Sequence, residues 1–182
     1  NKVMANTIME FGNYYRYYNN YRSNGTVAFY LFMWATHATT ENDSINYFLE
    51  RNKSNIPTKV QYELINKFLD EKEKELDFAN MHTSDASLIK AELKQSSLLV
   101  KLINKLSYAF NENLSKQEKI SLLKDVISYE DTFINEQKRL WLARNKYSDL
   151  DTSIGYLERF FIFAKKTLKY FDEVTGWSIK SN

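Results

Sequence analysis

Few residues in this sequence are equipped for chemistry. His37 and His82 are its two imidazoles, and His37 follows Trp34 by one helical turn, with Glu41 and Asp43 close behind. A histidine near carboxylates can act as a general base or a metal ligand. Neither histidine, however, belongs to a His-x-x-x-His or Glu-x-x-His pair, which would set two ligands on one helix face. His37 is therefore read as a surface or hydrogen-bonded structural residue. Cysteine is absent, so disulfides and thiolate metal sites are excluded. Asp70-Glu71 and Asp172-Glu173 are adjacent acids on amphipathic stretches, whereas a catalytic carboxylate pair needs opposed geometry and a raised pKa on one member. There is no glycine loop for phosphate and no Gly-x-Ser-x-Gly elbow. The expectation is a chain without catalytic residues, metal site or cofactor.

Binding is the remaining possibility. Ten of the 28 aromatic residues fall between 11 and 34. Tyr14, Tyr15, Tyr17, Tyr18, Tyr21, Tyr30 and Trp34 could present flat apolar faces and hydroxyls to a sugar. Tyr14, Tyr18, Tyr30 and Trp34 are the candidate binding residues. Core or inter-domain packing is the competing and favoured reading. Adjacent tyrosines on a helix point in different directions, so part of this cluster must face outward.

The elements that would position these residues are helices. With 4 glycines and 1 proline in 182 residues, the chain has too few breakers for a many-turned β fold. Helical spacing covers residues 2–19, through Val3, Thr7, Phe11, Tyr14 and Tyr18; Gly12 interrupts it and suggests a close helix approach. Asn24-Gly25 marks a turn. Thr26 caps a short apolar helix from Val27 to about Ala38, and Asp43 caps the next, through Ile45, Phe48 and Leu49. Pro57 is placed in the first turn of a helix whose stripe is Val60, Leu64, Ile65, Phe68, Leu69 and Leu76. The mixed run from Asp70 to Asp77 reads as a solvated face with pairs such as Asp70–Lys74.

A long helix is predicted from Asp85 to about Asn111, with Glu92 and Gln95 on its stripe, either as polar groups in a groove or, the favoured reading, near the helix end where water reaches them. A capping box, Ser115-Lys-Gln-Glu118, opens the next. That helix runs through Ile120, Leu123, Ile127, Ile134 and Trp141 to Arg144, a cation suited to a helix C-terminus, and Asn145 closes it. Ser148 and Asp151 approximate a second capping box. The last helix, to about Glu173, buries Ile154, Leu157, Phe160, Phe161, Ala164, Leu168 and Phe171, and Gly176 ends it ahead of Trp177. The expected fold is all-α: a single domain, residues 1–182, built as an antiparallel bundle of three long helices with shorter helices at the N-terminal side.

Basic and acidic residues balance to a net charge of +2, and their counts differ by no more than two in each of 1–56, 57–112 and 113–182. That evenness argues against a nucleic-acid binder, which concentrates Lys and Arg on one face. No apolar run reaches the length of a membrane span and no signal segment is visible. The compartment stays open, with the cytoplasm favoured. The chain begins at Asn1 inside a helical pattern, which suggests a piece of a longer protein.

One stretch carries a resemblance. Leu140-Trp-Leu-Ala-Arg-Asn-Lys-Tyr-Ser-Asp-Leu-Asp-Thr-Ser-Ile154 is similar to a segment near the carboxyl end of certain bacterial family 20 glycoside hydrolases, the β-N-acetylhexosaminidases, which carry a helical domain after the catalytic barrel. Phe11-Gly-Asn-Tyr-Tyr-Arg16, with Asn24-Gly-Thr26 behind it, resembles the opening of the same domain. The two matches stand near opposite ends of the chain, and the middle helices match only in kind. The resemblance implies a non-catalytic C-terminal domain that packs on the barrel of its parent chain and could help form a homodimer. Phe11, Trp141, Arg144 and Asn145 would then be packing or interface residues. The family's catalytic acids lie on barrel strands, so none is carried over. The alternative is an independent helical module that binds a sugar or a protein partner through residues 11–34.

Overall fold

The computed structural model describes residues 2–18, 20 and 25–173, and every regular element among them is helical. The α-helices are α1 (Lys2–Phe11), α2 (Val27–Ala38), α3 (Ser44–Asn52), α4 (Lys59–Phe78), α5 (Ala86–Tyr108), α6 (Lys116–Ser128), α7 (Glu130–Arg144) and α8 (Leu150–Glu173). The all-α expectation holds. Tyr21, Asn24, Gly176 and Trp177, which figured in the sequence reading, lie outside the described residues, as does the side chain of Val3.

Ion pairs and hydrogen bonds fix the helix directions. Along α4 and α5, Lys94 pairs with Asp77 at 2.5 Å, Lys101 with Asp70 at 2.5 Å and Glu73 at 2.8 Å, and Asn104 donates to the Tyr62 carbonyl at 3.2 Å. Rising numbers on one helix meet falling numbers on the other, so the pair is antiparallel. By the same logic α5 runs against α6–α7 (Lys105 with Asp125, Gln95 with Phe133), and α8 runs back along them (Lys165 with Glu130, Lys116 with the Asp172 carbonyl). The long members are α4, α5 and α8, of 20, 23 and 24 residues, and α6 and α7 together take the place of the other long helix expected.

The core gathers around α8. Its residues Ile154, Leu157, Phe160, Phe161, Phe163, Ala164 and Phe171 recur at three- and four-residue spacing and are buried. Phe48 of α3 is fully enclosed, with the rings of Phe110 and Phe163 centred 5.1 and 4.9 Å away. Burying each such side chain contributes roughly 1.5–3 kcal/mol.

Several local expectations change. The predicted helix over 2–19 becomes α1 followed by a 3₁₀ segment, Gly12–Tyr17. A Cβ on Gly12 would meet no atom within 4 Å, so no other helix closes on it. Pro57 precedes the cap rather than opening α4; Thr58 and Gln61 form the capping box, which orders the first turn reciprocally. Val60 and Leu64 are exposed, and the inward stripe of α4 is Ile65, Leu69, Lys72 and Leu76. The predicted helix over 116–144 breaks at Tyr129 into α6 and α7. There the Ser128 hydroxyl donates to the Asp125 carbonyl at 2.7 Å, a side-chain bond that competes with the helix ladder.

The charged run in α4 is not simply a solvated face. Lys72 is buried, and its ammonium bridges Glu10 of α1 and Glu75, the latter at 2.9 Å. Asp70 pairs across to α5 rather than with Lys74. Gln95 is likewise not wetted at a helix end: it is buried and donates to the Phe133 carbonyl at 2.9 Å.

Candidate functional site

The corner between α7 and α8 holds the stretch with the strongest sequence signal. Asn145 closes α7 as expected. Its backbone N–H donates to the Trp141 carbonyl at 2.8 Å, and its amide side chain donates to the same oxygen at 3.3 Å. Trp141 is half-buried against the core, and its indole N–H donates to the Lys146 carbonyl at 3.0 Å, which folds the connection back onto the helix. Arg144 does more than face the helix dipole. Its guanidinium donates to Glu92 and, at 3.1 Å, to Asp85, so it fastens the end of α7 to the start of α5. Hydrogen bonds from Arg144, and then Thr83, hold the Asp85 carboxyl below the usual carboxylate range. The two carboxylates push the Arg144 pKa up in turn.

The second capping box is replaced. Asp149 adopts φ 65° and its carbonyl accepts the Ser153 amide at 3.1 Å, while the Asp151 carboxylate accepts the Tyr147 hydroxyl at 3.3 Å. Aspartate is one of the few non-glycine residues that tolerate this left-handed backbone, because its side chain is short and polar. Around this corner Leu142, Tyr147 and Tyr156 remain 50%, 65% and 42% exposed, with the Arg159 guanidinium 4.5 Å from the Tyr156 ring centre.

The aromatic segment divides between core and surface. Phe11 and Tyr18 are buried, and burial pushes the Tyr18 hydroxyl pKa well up. Tyr14 is half-buried and its hydroxyl shares a 3.1 Å hydrogen bond with the cap residue Thr26. Tyr30 is half-buried and stands edge-on to Phe29 at 5.7 Å. Tyr18 therefore lies inside the fold, not on a sugar-facing surface. Among the described aromatic residues of the segment, Tyr15 and Phe29 are the exposed ones.

Trp34 belongs to a cluster that the sequence reading did not assemble. Tyr47 and Arg51, four apart on α3, meet it: the Arg51 guanidinium lies 3.7 Å from the Tyr47 ring centre and 5.2 Å from that of Trp34. His37 stands edge-on to Trp34 at 5.8 Å and is exposed. The four-residue spacing on α3 was the available signal; that α3 lies against α2 was not. Asp43, one of the carboxylates beside His37 in sequence, is engaged as the cap of α3, accepting the Asn46 amide at 3.2 Å. Among the described residues no group of three or more His, Asp and Glu could hold a metal ion, and no helix is long and apolar enough to cross a membrane.

Comparisons with protein-family models, with curated proteins and with solved structures found no match.

Proposed function

We propose that this chain is a non-catalytic helical domain that works by packing on a neighbouring domain, as the accessory domain of a β-N-acetylhexosaminidase-like glycoside hydrolase. The observation that carries this reading is the division of labour in residues 139–161. Trp141, Arg144 and Asn145 turn inward or along the surface and tie the corner to itself and to α5, while Leu142, Tyr147 and Tyr156 are left outward. A fixed corner that exposes one leucine and two tyrosines has the composition of an interface, where aromatic anchors dominate binding energy. The resemblance of the same residues to the family 20 segment supplies the partner: a catalytic barrel, with a second copy of the domain as a further contact.

The test has two parts. The chain alone should release no chromophore from 4-nitrophenyl N-acetyl-β-glucosaminide. Mixed with a bacterial family 20 barrel, it should sediment with that barrel, and Leu142→Asp together with Tyr147→Asp should abolish the association. Hydrolysis by the chain alone, or association indifferent to both substitutions, would overturn the proposal.

A further inference from the structure

A groove runs beside the first turns of α4, the end of α5 and the start of α6. One cleft of it, about 550 Å³, is lined by Tyr62, Tyr108, Asn113 and Ser121, with Lys59, Glu63 and Glu118 also at its walls. A second, about 480 Å³, shares Tyr62 and continues between α4 and α5 as far as Tyr129. Neither contains a residue of the α7–α8 corner, and their reading does not depend on the proposal above. Tyr62 and Tyr108 lie face to face, with ring centres 4.3 Å apart and planes at 11°. Tyr108 is 7% exposed and Tyr62 is half-buried. Tyr108 is thus the inner ring and Tyr62 the outer one, held flat at the point the two clefts share. We infer that this groove binds a neutral carbohydrate, with a sugar ring laid on Tyr62 and its hydroxyls met by the polar side chains alongside.

The residue types set the class of ligand. A tyrosine ring offers a flat apolar face and, at its edge, a hydroxyl that donates and accepts. A sugar ring has the matching parts, C–H groups on its faces and hydroxyls around its rim. Asn113 and Ser121 are exposed at the cleft and carry an amide and a hydroxyl, each able to donate and to accept. Asn111 holds the turn that presents Asn113: its amide donates to the Pro57 carbonyl at 2.9 Å, and its side-chain oxygen accepts the Asn113 backbone N–H at 3.0 Å. The charges favour a neutral ligand over an ion. In the first cleft Lys59 stands 3.9 Å from Glu63, and Glu118 accepts the N–H and the hydroxyl of Ser115 at 2.7 and 2.6 Å. In the second, Lys101 meets Asp70 at 2.5 Å and Glu73 at 2.8 Å, Lys94 meets Asp77 at 2.5 Å, and Lys105 meets Asp125. An ionic ligand would compete with these contacts, whereas hydroxyls can bond to their outer edges and leave them intact. A planar aromatic ligand would cover Tyr62 but has no rim of hydroxyls for Asn113 and Ser121.

The full chain is titrated with glucose, galactose, mannose, N-acetylglucosamine and cellobiose, and with glucosamine, glucuronate and indole as charged and aromatic controls. Protein amide shifts and the proton shifts of each ligand are followed by NMR. At least one neutral sugar should bind in the millimolar range, with amide shifts centred on Tyr62, Tyr108 and Asn113 and its ring protons moved upfield by the tyrosine face. None of the three controls should match the tightest neutral sugar. Tyr62→Ala should weaken that sugar at least about tenfold, while Tyr62→Phe keeps the ring face and should keep the upfield shift. Failure of all five neutral sugars to bind at tens of millimolar overturns the inference without recourse to any variant. So do amide shifts located elsewhere, residues 11–34 included, a control that binds as tightly as the best sugar, or a folded Tyr62→Ala chain with unchanged affinity.

Discussion

Gln95 offers the sharpest test of how the bundle is held. It is buried on α5, and its amide donates across to the Phe133 carbonyl of α7 at 2.9 Å. Phe133 lies within α7, where the helix ladder also supplies its carbonyl with a donor. Gln95→Leu keeps the volume and leaves that carbonyl satisfied, so the loss should be the net value of one hydrogen bond, about 0.5–1.5 kcal/mol. Gln95→Ala also empties space, and at roughly 0.8 kcal/mol per buried methylene-sized group the total rises to about 2–3 kcal/mol. Gln95→Glu separates hydrogen bonding from shape. When protonated, the acid can still donate to Phe133; when ionised, it sets a buried negative charge against a carbonyl oxygen. Its pKa in the folded chain is therefore raised above the unfolded value of about 4.3. The native state then holds its proton more tightly than the unfolded one, so stability falls as pH rises from the unfolded pKa to the folded one. A shift of two units corresponds to about 2.7 kcal/mol. Urea melts followed by far-UV circular dichroism, each compared with the unsubstituted chain at the same pH, should show Gln95→Glu close to normal near about pH 4 and weakest near neutrality, with a Gln95→Leu deficit that does not vary with pH. A Gln95→Glu deficit equally independent of pH would refute the hydrogen bond as the link between α5 and α7.

Three further outcomes follow from local geometry. Gly12→Ala has open space and no left-handed backbone to oppose it, so it should stabilise the chain by about 0.4–1 kcal/mol in thermal or urea melts; a loss would mean that another element closes on Gly12. Trp141→Ala removes a half-buried ring and its bond to Lys146 and should cost about 2 kcal/mol, below the 3–5 kcal/mol of a fully buried aromatic; a change under about 0.5 kcal/mol would mean the indole does not hold the corner. Asp85, whose pKa Arg144 depresses, contributes stability that is present above the unfolded carboxylate pKa of about 3.9 and is lost as pH falls through the lower folded value. In Arg144→Leu the Asp85 carboxyl, followed by carbon NMR, should titrate closer to its ordinary pKa, and an unchanged titration would show that the guanidinium is not the cause.

Local rules made much of the fold legible. Thr26, Asp43 and Ser115 cap the helices they precede, and the stride of Ile154, Leu157, Phe161 and Ala164 places α8 in the core. Those signals lie within one or two turns of chain, where spacing alone determines which side chains share a face. The break at Tyr129 escaped because Ile127 and Ile134 keep their seven-residue stride across it, so the apolar pattern does not register it. At the corner, the residue types were legible and their partners were not. Arg144 suited the helix C-terminus by its charge, but Asp85 and Glu92 stand 59 and 52 residues away, and only packing brings them there.

Lys72 and Lys119 were invisible for a different reason. A lysine inside a polar run is read as solvated because its charge opposes burial. Position argues otherwise in both cases. Lys72 fills the step between Leu69 and Leu76 in the inward stripe of α4, and Lys119 stands four residues before Leu123, which precedes Val126 on α6. A cation at such a place must snorkel to water or meet compensating groups within the fold. Lys72 meets Glu10, 62 residues away, and Glu75. The two lysines thus pose one physical problem in two settings. In the first, carboxylates from α1 and α4 lie at the ammonium; in the second, the face of an aromatic ring from α8 lies beside it.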